Sequence, residues 1–161
     1  MEDEDDGVER TVRTVRLLED ICNGVSSHEF EFLSLQGLRV VRARKDSFLC
    51  SFVVPDRLSD RDGNWHAAAM ATLMDDVGVV TVYCATGNLK TTLDFCVSYL
   101  STVKIQEEVE IEAKVVGAGS KGNAALVVVE VRRKDSGKLI ALAKQWLASF
   151  NMTVDQLSSK L

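Results

Sequence analysis

Two adjacent carboxylates, Asp75 and Asp76, interrupt an apolar run of the chain, and carboxylates in such a setting are candidates for acid–base chemistry. The run begins at Ala67 and ends at Gly87. Because it is apolar on nearly every face of a helix, it predicts a helix that is buried on all sides. An unpaired buried carboxylate is energetically costly, so we expect Asp75 to act in catalysis. The alternative is a structural, paired carboxylate at a subunit interface.

The second carboxylate has a different expected role. Asp76 lies about 100° from Asp75 around the helix axis, and adjacent residues on a helix do not face each other. We therefore expect Asp76 to make a polar contact with a neighbouring subunit. A catalytic dyad of the two carboxylates remains the alternative.

Composition excludes several classes of protein. The net charge of −5, with no basic run longer than 132–134, argues against a nucleic-acid partner. The two aspartates near the middle of the apolar run leave less than the roughly 18 uncharged residues that a membrane span needs. Four scattered cysteines and two histidines form no metal-binding pattern. We expect one soluble domain with free thiols, no metal and no membrane contact.

The two ends of the sequence predict its location. Five of the first six residues are acidic, and this segment lacks the basic and apolar regions of a secretory signal. The last three, Ser159, Lys160 and Leu161, form the C-terminal tripeptide that the peroxisomal import receptor binds. We predict a peroxisomal protein, with a chance tail on a cytoplasmic protein as the alternative.

The remaining elements follow from periodicity. Apolar residues at helical spacing predict an amphipathic helix from Val8 to Cys22, and then a short helical turn capped by Ser26 or Ser27. Alternating patterns and turn residues predict strands at 38–44, 47–54, 89–101, 107–117, 123–133 and 139–150. The first two form a hairpin and the last four a meander. The order predicts an α+β fold in which an antiparallel sheet wraps round one long buried helix.

Three segments carry a resemblance to a known family. They are Gly63–Ala68, where the family has a His-Gly-Gly signature, Asp75 nine residues after His66, and Thr91–Phe95, where the family has Ser or Thr two positions before Asp. With them, residues 30–150 resemble the hotdog-fold acyl-CoA thioesterases, in the group of thioesterase superfamily member 2 and the phenylacetate-pathway thioesterases. The resemblance implies a hotdog domain at 37–150, between N-terminal helical segments at 1–36 and a polar tail at 151–161.

The resemblance also implies an activity. It is the hydrolysis of an acyl-CoA or aryl-CoA thioester to the free acid and CoA by a homodimer or homotetramer, in lipid metabolism and without a cofactor. The Ala67 N–H would stabilise the oxyanion at the helix start. Asp75 from the neighbouring subunit would be the general base or nucleophile, and Thr92 would orient the water or the carboxylate.

Further positions are implied to contact the substrate, namely Asp60, Gly63, Asn64, His66 and Ala68. Asp60 stands where the family has Asn or Gln, and an anion there opposes charge on the carbonyl oxygen unless it is protonated or turned away. Asn64 is then the alternative source of an amide donor. Ala67-Ala68 replace the two glycines, which keeps the N–H but narrows the substrate's approach. His66 is expected to orient the helix start.

These departures motivate an alternative function, a catalytically weak hotdog protein that binds acyl-CoA or serves as a scaffold. A dehydratase acting on β-hydroxyacyl thioesters is a third possibility, but the carboxylate position after His66 favours hydrolysis. Four basic residues are candidates for binding the CoA phosphates: Lys90, Lys104, Lys121 and Arg132.

Overall fold

The computed structural model describes residues 2–118 and 124–149. The helices are α1 (Glu2–Cys22), α2 (Glu29–Leu35) and α3 (Ala67–Thr86), and a short 3₁₀ turn spans Asp56–Leu58. The strands are β1 (Arg39–Arg44), β2 (Ser47–Val53), β3 (Thr91–Tyr99), β4 (Glu108–Ala118), β5 (Ala124–Arg133) and β6 (Leu139–Ala148). Each predicted strand is present, with its ends shifted by two residues or fewer.

The six strands form one antiparallel sheet in the order β1-β2-β4-β5-β6-β3. The predicted four-strand meander is wrong in one respect, because β3 pairs with β6 and not with β4. Both sides of β4 are already occupied, by β2 and by β5. β3 therefore lies at the sheet edge, next to β6.

Helix α3 crosses the concave face of the sheet and supplies the centre of the core. The residues it buries against the strands include Met70, Leu73, Met74 and Val77, and the inward side chains of β4 and β5 include Val109, Ile111, Val127 and Val129. Within the described residues, α3 is the one helix long and apolar enough to be considered a membrane span, and 56% of its most apolar window is buried inside the protein. The apolar composition of α3 is accounted for by this core position.

The N-terminal helices cover α3 from the other side, and their apolar residues Leu18, Cys22 and Leu35 join the same core. The prediction that Ser26 or Ser27 caps α2 is wrong, because His28 is the N-cap residue. The backbone N–H of His28 donates a hydrogen bond to Oε2 of Glu31 at 3.1 Å. The Ser27 hydroxyl instead donates a hydrogen bond to the carbonyl oxygen of Ile21 at 3.1 Å.

One stripe of α3 stays uncovered in the single chain, so the predicted burial on all sides is wrong for the isolated subunit. Ala67 and Ala68 are exposed, and Thr72 and Val79 are half-buried. The sheet, α1 and α2 each cover a different side of the helix and leave this stripe open beside the edge strand β3. The open stripe is where the two predicted halves of the site are found.

Candidate active site

Asp75, Thr92 and Gln145 form a hydrogen-bonded cluster beside the middle of α3. The Thr92 hydroxyl donates a hydrogen bond to Oδ1 of Asp75 at 3.0 Å. The side-chain amide nitrogen of Gln145 donates a hydrogen bond to the same carboxylate oxygen. It also donates one to Oγ1 of Thr92 at 2.9 Å. Three elements, α3, β3 and β6, thus fix one carboxylate oxygen. None of the described residues donates a hydrogen bond to the other one, Oδ2.

Gln145 is a site residue that sequence reasoning missed. It is completely buried on β6, where the inward positions on either side of it are Ala143 and Leu147. A glutamine at an inward position of an otherwise apolar strand needs a polar partner, because burying an unpaired amide is costly. This alternation was the signal available in the sequence. It points to a polar group on α3, which is Asp75.

The cluster borders an open cavity of about 290 Å³, lined by Ala71, Thr72, Asp75, Thr92 and Phe95. Burial raises the pKa of Asp75, the hydrogen bond from Thr92 opposes this rise, and the charge of Glu31 adds to it. A carboxylate with a raised pKa is a stronger base than an exposed one once it is ionised. The geometry therefore suits proton abstraction from water in the cavity.

Asp76 lies near Glu31 of α2 and Cys22 of α1. Burial raises its pKa to about 7, and the nearby charges of Asp75 and Glu31 contribute to the rise. Its Oδ2 is buried without a hydrogen-bond partner among the described residues. Asp76 and Asp75 share no hydrogen bond, so the single chain contains no carboxylate dyad of the kind considered above.

The helix start presents free backbone donors. His66 is the N-cap residue of α3, and its Nδ1 accepts the Ala68 N–H at 3.2 Å, which is the orienting role expected from the sequence. The Ala67 N–H belongs to the first helical turn, where backbone donors lack intrahelical partners. No described residue accepts it. The positive end of the helix dipole and this free N–H together favour a developing negative charge.

The Asp60 side chain is turned into its own loop. Its Oδ1 accepts the N–H groups of Asn64 at 2.8 Å and of Asp62 at 2.9 Å, and its Oδ2 accepts the Asn64 side-chain amide at 3.3 Å. The backbone hydrogen bond from Asn64 is the main reason that the pKa of Asp60 is lowered. Gly63, at φ 74°, supplies the left-handed residue that closes this turn.

The predicted site residues fall into two groups that one chain cannot bring together. Ala67 and Asp75 are eight residues apart on one helix, which places them about 12 Å apart along its axis. An oxyanion donor and a base acting on the same carbonyl must both lie within about 3 Å of the reacting atoms. Asp60, Gly63, Asn64, His66 and Ala68 belong with Ala67 at the helix start.

The basic residues considered for CoA phosphates are largely engaged. Lys90 is buried, with its Nζ 2.9 Å from Oγ of Ser149. Nζ of Lys104 donates a hydrogen bond to the carbonyl oxygen of Asp62 at 2.8 Å. Arg132 forms an ion pair with Glu130 at 2.8 Å. The prediction of a surface position for Lys90 is wrong, because Lys90 is buried directly before the start of β3. Lys121 lies outside the described residues, as do the targeting residues Ser159, Lys160 and Leu161.

Comparison with known proteins shows similarity to thioesterases. The family model of the thioesterase superfamily matches residues 62–140. Acyl-coenzyme A thioesterase 13 of Homo sapiens is 28% identical over 132 residues, covering 81% of this chain and 92% of that protein.

Two solved structures share the architecture. Zebrafish thioesterase superfamily member 2 superposes with a TM-score of 0.75 at 24% identity, covering 82% of this chain and 94% of that one. A hypothetical thioesterase of Streptococcus pneumoniae superposes with a TM-score of 0.65 at 18% identity, covering 70% and 88%. The six-stranded antiparallel sheet round α3 shows that the chain has the hotdog fold of these structures, and residues 62–140 are similar to the thioesterase superfamily.

Proposed function

We propose that this protein hydrolyses acyl-CoA thioesters to the free acid and CoA, as a homodimer or a homotetramer with sites shared between subunits. The observation that carries the proposal is the carboxylate of Asp75, partly buried with a raised pKa and fixed by Thr92 and Gln145. The human relative is named an acyl-CoA thioesterase, and the Streptococcus pneumoniae structure contains coenzyme A. Both support the choice of a CoA thioester.

The chemistry would proceed at the junction of two subunits. The thioester carbonyl oxygen accepts the Ala67 N–H of one subunit, which stabilises the negative charge of the tetrahedral intermediate. Asp75 of the partner subunit takes a proton from water as the water oxygen bonds to the carbonyl carbon. The intermediate collapses, the carbon–sulfur bond breaks, and the proton passes to the CoA thiolate. Direct attack by the carboxylate, with later hydrolysis of the anhydride, is the alternative step.

Subunit pairing is supported by the surfaces that the single chain leaves open. Among the described residues β3 is an edge strand with no strand paired to its outer side, and edge strands of this kind pair readily with another chain. Leu93 on β3 is 55% exposed, and the uncovered stripe of α3 runs beside it. A second copy placed there would bring its own helix start close to Asp75.

Asn64 would supply the second donor to the carbonyl oxygen. One of its amide hydrogens is held by Oδ2 of Asp60, which fixes the orientation of the amide and leaves the other hydrogen for the substrate. The negative charge of Asp60 is balanced by three donors from its own loop, so it opposes the oxyanion less than a free carboxylate would. In this arrangement Asp60 positions Asn64.

We propose a peroxisomal location on the sequence alone. The C-terminal residues Ser159, Lys160 and Leu161 would be bound by the peroxisomal import receptor, and the activity would then belong to peroxisomal lipid metabolism. A fluorescent protein fused to the N-terminus should show punctate peroxisomal fluorescence. Truncation of the last three residues should make it diffuse through the cytoplasm.

The test of the activity is thiol release from acyl-CoA, compared between the wild type and Asp75→Asn. Turnover should fall in Asp75→Asn, whereas Asp94→Asn, at an exposed position on β3, should keep the wild-type rate. Both variants should elute at the wild-type oligomeric mass. Saturable acyl-CoA binding without wild-type turnover would instead support the acyl-CoA-binding or scaffold function.

A further inference from the structure

A cavity of about 240 Å³ lies between α2 and the first turn of α3, separate from the cavity beside Asp75. Phe30 and Leu33 of α2 form one wall, Leu58 and Ala69 form the other, and His66 and Ala68 lie at the helix start. None of the lining residues is a carboxylate. We refer to it as the α2 cavity.

The wall formed by α2 is held in place by Arg57. Its Nε donates a hydrogen bond to the carbonyl oxygen of Leu33 at 2.9 Å, and its Nη2 donates one to the carbonyl oxygen of Gln36 at 2.5 Å. Two N–H groups of the guanidinium thus bind carbonyl oxygens at the C-terminal end of α2, which is only seven residues long. Arg57 keeps its positive charge, but these two hydrogen bonds fix α2 against the loop before α3, and the lining of the α2 cavity is mainly apolar. Such a pocket suits an apolar ligand.

The α2 cavity adjoins the donor that would bind the thioester. His66 and Ala68, which line it, flank Ala67, whose N–H faces the carbonyl oxygen in the proposed function. A group attached to the carbonyl carbon begins within a few bonds of this cavity. The CoA side of the thioester is long, polar and negatively charged, so it matches the mainly apolar lining of this cavity less well than the acyl group does.

Resting on the proposed function, we propose that the α2 cavity binds the acyl group of the substrate and limits its size. An apolar cavity of about 150 Å³ holds one benzene ring, so 240 Å³ accommodates on the order of ten carbons. Medium-chain acyl groups and single aromatic rings with a short chain fit this volume. Palmitoyl and longer chains exceed it.

The rim of the α2 cavity points to the same ligand chemistry. Phe30 is 62% exposed and Leu33 is 47% exposed, so two large apolar side chains border the opening. An acyl chain entering the cavity would remove apolar area of both residues from water, which is favourable in proportion to the area buried. The rim favours apolar groups over the polar pantetheine arm.

The experiment measures binding and turnover separately over a series of acyl lengths. Binding uses 2-oxoalkyl-CoA analogues, in which a methylene between sulfur and carbonyl prevents hydrolysis, and turnover uses the matching acyl-CoA thioesters. Wild-type affinity should rise with chain length up to about ten carbons and then stop rising. Phenylacetyl-CoA and decanoyl-CoA should be turned over at least tenfold faster than palmitoyl-CoA, in kcat/KM.

Leu33→Trp fills the cavity from its rim, and Val25→Trp adds the same ring at an exposed site outside the α2 cavity. Leu33→Trp should weaken decanoyl analogues at least tenfold and leave acetyl analogues within about threefold, whereas Val25→Trp should leave both unchanged. An equal effect of Leu33→Trp on all lengths would overturn the acyl site. If Leu33→Trp weakens binding in a length-dependent way but the wild type releases no thiol from any acyl-CoA, the α2 cavity is an acyl-binding site and the proposed hydrolytic function is wrong.

Discussion

The side-chain amide of Gln145 occupies the space that a side chain on Gly78 would need. A Cβ built on Gly78 would overlap Oε1 of Gln145 and lie 3.3 Å from a methyl carbon of Val127. Helix α3 therefore comes closest to β5 and β6 at Gly78, one turn after Asp75. This close approach is what lets a glutamine on the sheet reach a carboxylate on the helix.

Gly78→Ala should lower kcat about tenfold, because the added methyl pushes the Gln145 amide away from Asp75 and Thr92. It should also reduce the free energy of unfolding by about 1–3 kcal/mol, the usual cost of overpacking a core. The measurements are steady-state kinetics and urea unfolding. Gly7→Ala is the control, since a Cβ there meets nothing within 4 Å. Unchanged kcat in Gly78→Ala would show that the position of Gln145 does not matter for turnover.

The pH dependence of turnover reports on Asp75 directly. The base must be ionised, so kcat/KM should be full at high pH and fall as the pH drops through the pKa of Asp75, which burial raises above its usual range. The Thr92 hydrogen bond lowers that pKa. Thr92→Val removes the donor at constant volume and should move the acid limb to higher pH.

Thr92→Ser keeps the hydroxyl and is the matched control for this shift. It should have the wild-type pH profile even if its kcat is reduced by the lost methyl. A wild-type profile in Thr92→Val, with a lower plateau, would mean that Thr92 acts on the water or the substrate and not on the carboxylate.

Asp76 should make stability depend on pH. Its pKa is about 7 in the folded protein and close to the usual 3.8 when unfolded, so the folded state binds more protons between these values. The free energy of unfolding should therefore fall as the pH rises from about 4 to 7. The groups around it add no positive charge: Glu31 on α2, Asp75 on α3 and the Cys22 thiol on α1, whose pKa burial raises to about 12.

Asp76→Asn cannot ionise, so its Tm should exceed that of the wild type by a few degrees at pH 8 and match it near pH 4. Thermal unfolding at the two pH values measures this difference. Asp20→Asn, at an exposed position on α1, should give no such dependence. Equal Tm differences at both pH values would mean that Asp76 is ionised at no stability cost, for example through a contact with the partner subunit.

The sequence predicted the elements well because each carries a local pattern. Period-two alternation marked β4, valine content marked β5, and the apolar run marked α3. The placement of β3 beside β6 is a non-local pairing that no local pattern encodes, and it decides which residues meet Asp75. Gln145 is brought to the site by that pairing, so it escaped a search along the chain. The orientation of Asp60 depended on hydrogen bonds within its loop, which residue types alone do not determine.

The shared site can be tested by combining two inactive variants. Ala67→Pro removes the backbone donor at the first helical position, where proline is well tolerated and where His66, at φ −62° and ψ 128°, already has the extended geometry that a following proline requires. It should lower kcat/KM about 10²- to 10³-fold, as removal of an oxyanion donor does. Ala67→Gly keeps the N–H and should retain near wild-type turnover.

Co-expression of Ala67→Pro with Asp75→Asn then separates the two arrangements of the site. If each site combines one subunit's helix start with the partner's carboxylate, a mixed dimer has one site with both changes and one site with neither. Random pairing should restore about a quarter of wild-type activity, since half of the dimers are mixed and each has one intact site. Sites contained within one chain would give no recovery. Because the two residues lie about 12 Å apart along α3, we expect recovery.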